Sequence, residues 1–294
     1  MAERRDAPDL VDLHTHSTCS DGSLPAADVI RRAAGLPLAA VALTDHDTTA
    51  GLAEAAEEAA QHPHLTFVPG VEVSAVFHKG TLHVLGLGID ADATALAGLL
   101  DRLREARAER NPRMAERLRN LGIDVTMDEV RDLADRDRGE TGRHIVSRMH
   151  FAQLLVEKHA VASTQQAFAR YLGAGAPAYV EKERIAPDEV AEAIHAAGGM
   201  AVAAHPVHLP YDNFAQLRRM LETLRDAGID GVEAYHSDHD AQLTRELLRL
   251  ARELGMGVAG GSDYHGPSKP HVRLGRPRVP ASVVARRFAA LLGK

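Results

Sequence analysis

The chain has 294 residues, 45% of them hydrophobic and 26% charged, with a formal net charge of −7. Those figures exclude a small disulfide-held scaffold and a protein that coats long nucleic acid through a basic surface, and they leave room for one large α/β core or a core with an insertion. No apolar stretch approaches the ~20 residues that span a bilayer, and no apolar run follows the charged first residues, so neither a membrane span nor a secretion signal is expected.

The lone Cys19 rules out an internal disulfide and points to a reducing cytoplasm. Apolar alternation through Leu10, Val11 and Leu13 predicts a buried strand, and Pro25 sits well for the first turn of a helix over 26–35. The next strand is expected at 39–43, after which Thr49 is placed to cap an Ala/Glu helix that runs to about residue 61. Two more strands are expected at 65–73 and 81–87. From about 95 to 172 the pattern is helical, and Asn111-Pro112 is expected to bend or split the first of these helices.

Gly173-Ala-Gly-Ala-Pro177 marks the return to alternation: helix 187–197, strand 200–204, helix 213–227, strand 231–235, helix 240–254, strand 256–260 and a closing helix near 281–292. Repeated β-α units of this kind predict a mainly parallel sheet or barrel with helices outside. The expected organisation is one α/β core in two parts, 1–98 and 183–294, around a helical insertion at 99–182. Neither an internal repeat nor a low-complexity linker interrupts it.

The 17 histidines prompt a search for where they cluster. The stretch DLHTHSTCSDG brings His14, His16 and Asp21 just after the first strand, and side chains at i and i+2 share one face of a strand. The second strand runs into Thr44-Asp45-His46-Asp47, the third carries Glu72 and the fourth His83. Strand 200–204 runs into His205-Pro206, strand 231–235 into His236 and His239, and strand 256–260 into Asp263 and His265. Taken singly, each has a plain explanation as a cap, a turn or a surface residue. Together they put a histidine or a carboxylate at the C-terminal end of almost every strand, where parallel α/β folds assemble their sites. Imidazoles and carboxylates without a thiolate cluster suit zinc, manganese or iron, and there are more of them than one tetrahedral ion needs.

The ordered motifs HTHSTCSDG, LTDHD, GVEVS, HVLG, AHP and GSDYHG resemble the polymerase and histidinol phosphatase (PHP) family of metal-dependent phosphoesterases. That resemblance implies an α/β fold, a distorted (β/α)7 barrel with an inserted helical subdomain, holding two or three divalent transition metals at its mouth. It implies a first metal on His14, His16, Glu72 and Asp263, a second on Asp21, His46 and His265, and a third on His83 and His205 with Glu72 bridging. Asp263 and His265 are thereby also catalytic, since a hydroxide bridging the metals attacks phosphorus in line. Asp45 or a metal-bound water would then protonate the leaving group.

The helical block before AHP, with Arg143-His144 on it and Tyr179-Val180 at its exit, resembles the branch of the family that acts on small nucleotides. Relatives there usually have Pro or another spacer between that Arg and His, which are adjacent here. By this resemblance Arg143 and His144 fix a phosphate, Arg110 and Arg113 turn inward, and Lys182 is a further phosphate contact. His236 and His239 are placed near the substrate. The expected reaction removes a phosphomonoester, such as the 3'-phosphate of a nucleoside 3',5'-bisphosphate. The alternatives are 5'-3' trimming of short RNA, a histidinol-phosphate-type phosphatase and, least favoured, a non-catalytic metal-binding module. The partner is thus a small nucleotide or short oligonucleotide; oligomeric state is not legible.

Overall fold

The computed structural model describes residues 9–77, 80–136, 146–181 and 185–292. The first part of the chain forms β1 (Leu10–Asp12), α1 (Ala26–Ala34), β2 (Leu38–Leu43), α2 (Leu52–Ala59), β3 (Thr66–Phe77) and β4 (Gly80–Leu87). A helical block follows: α3 (Thr94–Asn120), α4 (Met127–Arg136), α5 (Arg148–Glu157) and α6 (Thr164–Ala167), which runs into a π-helical turn at Phe168–Leu172. The last part contains α7 (Pro187–Ala196), β5 (Met200–Ala203), α8 (Phe214–Asp226), β6 (Gly231–Tyr235), α9 (Ala241–Leu254), β7 (Gly257–Gly260), β8 (Val279–Pro280) and α10 (Ala281–Phe288). No helix among the described residues is long and apolar enough to cross a membrane.

Local chemistry sets these elements. In α9, the Asp240 carboxylate accepts the Leu243 N–H at 2.7 Å and left-handed Gly255 ends the helix. Between them Leu243, Leu247, Leu250 and Leu254 make the buried stripe. Thr49 does not cap α2: its carbonyl accepts the Leu52 N–H, and the helix begins two residues later than expected, at Leu52, with Gly51 at its N-cap.

The sheet order is β7-β6-β5-β4-β3-β2-β1-β8. Beyond β1, Leu13 N donates to Gly260 O (3.0 Å), Asp263 N to His14 O (2.9 Å) and His16 N to Tyr264 O (2.8 Å), so β1 and β7 join and the barrel closes. A Cβ on Gly261 would lie 2.4 Å from the His14 nitrogen, so this seam accepts only glycine. The parallel expectation fails at β4 and β8. β4 is antiparallel to both β3 and β5, and β8 is antiparallel to β1. The third and fourth strands stand too close in sequence for a crossover, which needs a dozen or more residues, so they pair as a hairpin.

Three cores result. Small interior residues, among them Ala40, Ala42, Ala204 and Ala259, leave space in the barrel that Phe288 and Val284 of α10 fill. Their strand neighbours Val41 and Leu43 face outward into the layer between barrel and helices. The helical block has its own core around Phe151, Leu155 and Leu172. α3 belongs to both, packing Leu96, Leu100 and Leu103 on the barrel layer and Met114 and Leu118 in the core of the helical block. It runs unbroken through Pro112, so of the expected bend or split the split does not occur. The proline removes one N–H, and the cores that grip α3 on either side hold the helix together across it.

A candidate metal centre at the barrel mouth

Glu72 lies midway along β3 and its side chain is fully buried. Its Oε2 is 2.9 Å from His46 Nδ1, 3.3 Å from His16 Nε2 and 3.4 Å from His14 Nε2. Its Oε1 is 2.8 Å from His205 Nε2 and 2.9 Å from His83 Nδ1. Because β3 and β4 extend past the mouth as a hairpin, Glu72 and His83 reach the site from mid-strand, not from the strand ends that the sequence pattern implied. β4 runs against its neighbours and presents His83 from its first half.

Asp263 Oδ1 lies 3.2 Å from His16 Nε2 and 3.5 Å from His14 Nε2. Asp21 faces His265 Nε2 at 3.1 Å and His46 Nε2 at 3.8 Å. The loop that delivers Asp21 is folded tightly: a Cβ on Gly22 would come 2.5 Å from the His16 carbonyl oxygen. All nine expected ligand residues therefore meet in one place, in overlapping groups whose donor atoms lie within 4.8 Å of one another. Asp47, His205 and Asp263 hold left-handed backbone (φ 51, 27 and 57), strain of a kind that gathers at functional sites.

The donors fit metal ions. His14 Nε2, His16 Nε2, His46 Nδ1 and Glu72 Oε2 are buried and face one another, yet none has a hydrogen-bond partner. Orphaned buried polar atoms are costly unless something binds them. Burial opposes the Glu72 charge, but the surrounding imidazoles outweigh it and hold its pKa well below the usual range. Burial would lower His16, yet Asp263 and Glu72 carry it up to about 9. His83 goes the other way, down to about 4, because burial there exceeds the pull of Glu72. This spread within one cluster is what competing charges sharing little solvent produce.

Above these residues is a cavity of about 570 Å³ whose opposite wall comes from the helical block. Arg107, Arg110, Arg148, Phe168 and Tyr179 line that wall, with Lys269 and His208 at the barrel side. Arg107 pairs with the buried Asp47, which also accepts the Ser74 N–H at 2.7 Å. Arg110 bonds Asn111 Oδ1 at 2.8 Å, and the Arg148 guanidinium lies 5.7 Å from the Tyr179 ring centre and 5.8 Å from that of Phe168. Neither Arg110 nor Arg148 forms an ion pair among the described residues. Burial and the guanidinium groups of Arg107 and Arg148 pull Arg110 down to about 9, and burial lowers Arg148 as well. Lys269 Nζ is 3.0 Å from Asp263 Oδ2; burial opposes its charge, but Asp263 and Asp21 hold its pKa above the usual value.

Several expected contacts are corrected. Asp45 is buried beneath the first loop, where its carboxylate accepts Ser17 N (2.8 Å), Ser17 Oγ (2.6 Å) and Ser20 Oγ (2.5 Å); it does not face the cavity and shapes the loop that carries Asp21. Arg113 is exposed and lines a separate surface cleft with Arg102, Glu105 and Glu109. It falls off the buried stripe of α3, which passes through 96, 100, 103, 107, 110 and 114. That stripe was readable and points to Arg107. Neither His236 nor His239 lines the cavity: His236 is buried 3.8 Å from Asp263, and His239 Nδ1 bonds the Ala234 carbonyl at 3.1 Å. Arg143, His144 and Lys182 lie outside the described residues. Sequence reading missed Arg107, Arg148, Lys269 and Glu233. Arg148 follows Ser147, whose side chain caps α5, and that capping pattern was its only local signal.

Comparison with known proteins adds names to this geometry. The PHP domain pattern matches residues 12–227. A 3',5'-nucleoside bisphosphate phosphatase of Chromobacterium violaceum is 38% identical over 260 residues, covering 88% of either chain. A 5'-3' exoribonuclease of Haemophilus influenzae is 35% identical over 257 residues, covering 87% of this chain and 90% of that one. Among solved structures, an amidohydrolase from Chromobacterium violaceum with bound sulfate and no metal superposes with a TM-score of 0.82 at 36% identity, over 96% of both chains.

Proposed function

The chain belongs to the PHP domain family, and from that premise we propose that it is a metal-dependent phosphatase that hydrolyses a phosphomonoester of a small nucleotide. The observation that carries the reading is a single cavity with two unlike walls: a carboxylate ringed by imidazoles on one side and, on the other, Arg110 and Arg148, which form no ion pair among the described residues.

In this reading His14, His16, Glu72 and Asp263 hold one divalent metal, Asp21, His46 and His265 a second, and His83 and His205 a third that shares Glu72. Nitrogen and oxygen donors without thiolate suit manganese, zinc or iron. Bound there, such ions polarise phosphoryl oxygens and lower the pKa of water to near neutrality. The protein's own part is to hold the substrate against them. Lys269 steadies Asp263 from the cavity side. Arg110 and Arg148 supply fixed positive charge at the far wall, where a second phosphate would meet two guanidiniums that form no ion pair among the described residues. The rings of Tyr179 and Phe168 beside Arg148 offer flat faces for a base or ribose.

The helical block, residues 99–182, acts as the substrate cap. About 570 Å³ accommodates a nucleotide-sized ligand. The lone Cys19 agrees with a reducing cytoplasm as the place of action.

A histidinol-phosphate substrate is disfavoured, because its single phosphate supplies no second anion to Arg110 and Arg148, which form no ion pair among the described residues. The 5'-3' exoribonuclease reading uses the same residues and is favoured by the relative of that name. A phosphate-release screen over nucleoside monophosphates, nucleoside 3',5'-bisphosphates and short RNAs, each with manganese and with zinc, separates them. The bisphosphate is expected to be turned over with the highest kcat/KM. Release of mononucleotides from RNA with no bisphosphate turnover moves the assignment to the exonuclease, and no turnover of any ester removes it.

A further inference from the structure

Glu233 sits in the middle of β6, fully buried, without a lysine or arginine partner among the described residues. Its two oxygens have different jobs. Oε1 is 3.1 Å from His14 Nδ1, and Oε2 accepts the backbone N–H of His205 at 2.7 Å. Both partners are in the expected ligand set, and they come from different strands. The other ring nitrogen of His14, Nε2, faces Glu72 and Asp263 without a hydrogen bond. His205 occupies left-handed backbone at φ 27, a strained position for a side chain other than glycine, and its ring reaches Glu72 at 2.8 Å.

We propose that Glu233 is a positioning residue that sets the tautomer of His14 and the backbone of His205, and so assembles two metal sites from beneath. The inference rests on reading those two histidines as ligands. An ionised carboxylate only accepts, so a proton shared with Glu233 lies on His14 Nδ1 and the Nε2 lone pair is left free for the metal. The His205 N–H can only donate. Both neighbours of Glu233 therefore require an acceptor, and a carboxylate meets that requirement at both ends without offering a proton of its own. Glutamine has the same shape but one acceptor and one donor. Its oxygen must serve the His205 N–H, which leaves its amide facing His14 Nδ1. That nitrogen then becomes the acceptor, the proton moves to Nε2, and the ligating position of His14 is blocked.

The test titrates full-length protein, stripped of metal by chelation, with cobalt(II), whose visible absorption reports both occupancy and donor set. The wild type is expected to take up two or more equivalents. Folded Glu233→Gln, judged by circular dichroism, is expected to bind with roughly 10- to 100-fold lower affinity and an altered spectrum. A folded Glu233→Gln protein with the wild-type isotherm and spectrum overturns the proposal alone. Wild-type protein that binds no cobalt overturns the ligand reading and the proposal with it.

Should the variant not fold, zinc-loaded wild type labelled with 15N-histidine decides. The ring assigned by its loss in His14→Asn is expected to carry its proton on Nδ1, and a metal on Nδ1 or a proton on Nε2 overturns the proposal.

Discussion

The barrel mouth and the helical cap face each other across one cavity, and they arrange charge in opposite ways. At the mouth, Glu72, Asp263 and Asp21 are interleaved with imidazoles from five different strands or strand ends, so acid and base alternate at 2.8–3.5 Å. In the cap, the buried Arg107 and Arg110 and the half-buried Arg148 collect; Arg107 pairs with Asp47, and among the described residues Arg110 and Arg148 form no ion pair. The first arrangement suits cations and the second suits an anion. A phosphorylated ligand with a second charged group satisfies both at once.

The sharpest way to break this contrast is at Glu72, the residue shared by the largest number of imidazoles. Glu72→Ala should reduce bound metal to one equivalent or fewer per chain and lower kcat/KM by roughly a thousandfold or more. Loss of any single histidine should do less. Elemental analysis that finds two equivalents in Glu72→Ala would mean that the mouth is not organised around this carboxylate.

Arg107 joins the two regions. Arg107→Ala removes the guanidinium that pairs with the buried Asp47 and should destabilise the protein by about 3 kcal/mol, read as a lowered midpoint in urea. An unchanged midpoint would show that the cap is held to the barrel by apolar packing along α3 alone.

Arg148 sharpens the cap side. Arg148→Ala should raise KM for a nucleoside bisphosphate by roughly 10- to 100-fold, equivalent to about 1.5–3 kcal/mol, while metal content stays constant and a small aryl phosphate is hydrolysed as before. Equal losses on both substrates would move Arg148 from the substrate to the fold. The smallest effect is expected at Arg113, exposed in its own cleft: Arg113→Ala should change stability by less than about 0.5 kcal/mol and leave the kinetics untouched.

The same contrast explains what could be read from the chain. The mouth was legible because metal chemistry demands particular residue types, and one strand after another ends near a histidine or an acid. The strand at 231–235 matches β6 residue for residue, although Glu233 interrupts its apolar residues. The direction of β4 followed from its distance to β3, and the sequence pattern of the strand itself carried no sign of it. Asp45 misled because its type fits proton transfer while its position, beneath Ser17 and Ser20, depends on how the loop folds. In the cap, any helical position can supply a guanidinium, so residue type says little. Only the buried stripe of α3 separates Arg107 and Arg110 from Arg113, and Arg148 is selected by tertiary packing against Phe168 and Tyr179. Glu233, an acid within a short strand, carried no sequence sign of a role and is fully buried under His14.

Metal stoichiometry of the reconstituted wild-type protein tests the central claim most directly. Stripped protein is loaded with manganese or zinc, freed of excess by gel filtration and measured by elemental analysis against chain concentration. The crowding of five imidazoles on Glu72, with a separate Asp21 and His265 beside it, predicts two to three ions per chain. One ion or none would contradict a multinuclear mouth, and with it the account of how this cavity grips a phosphate.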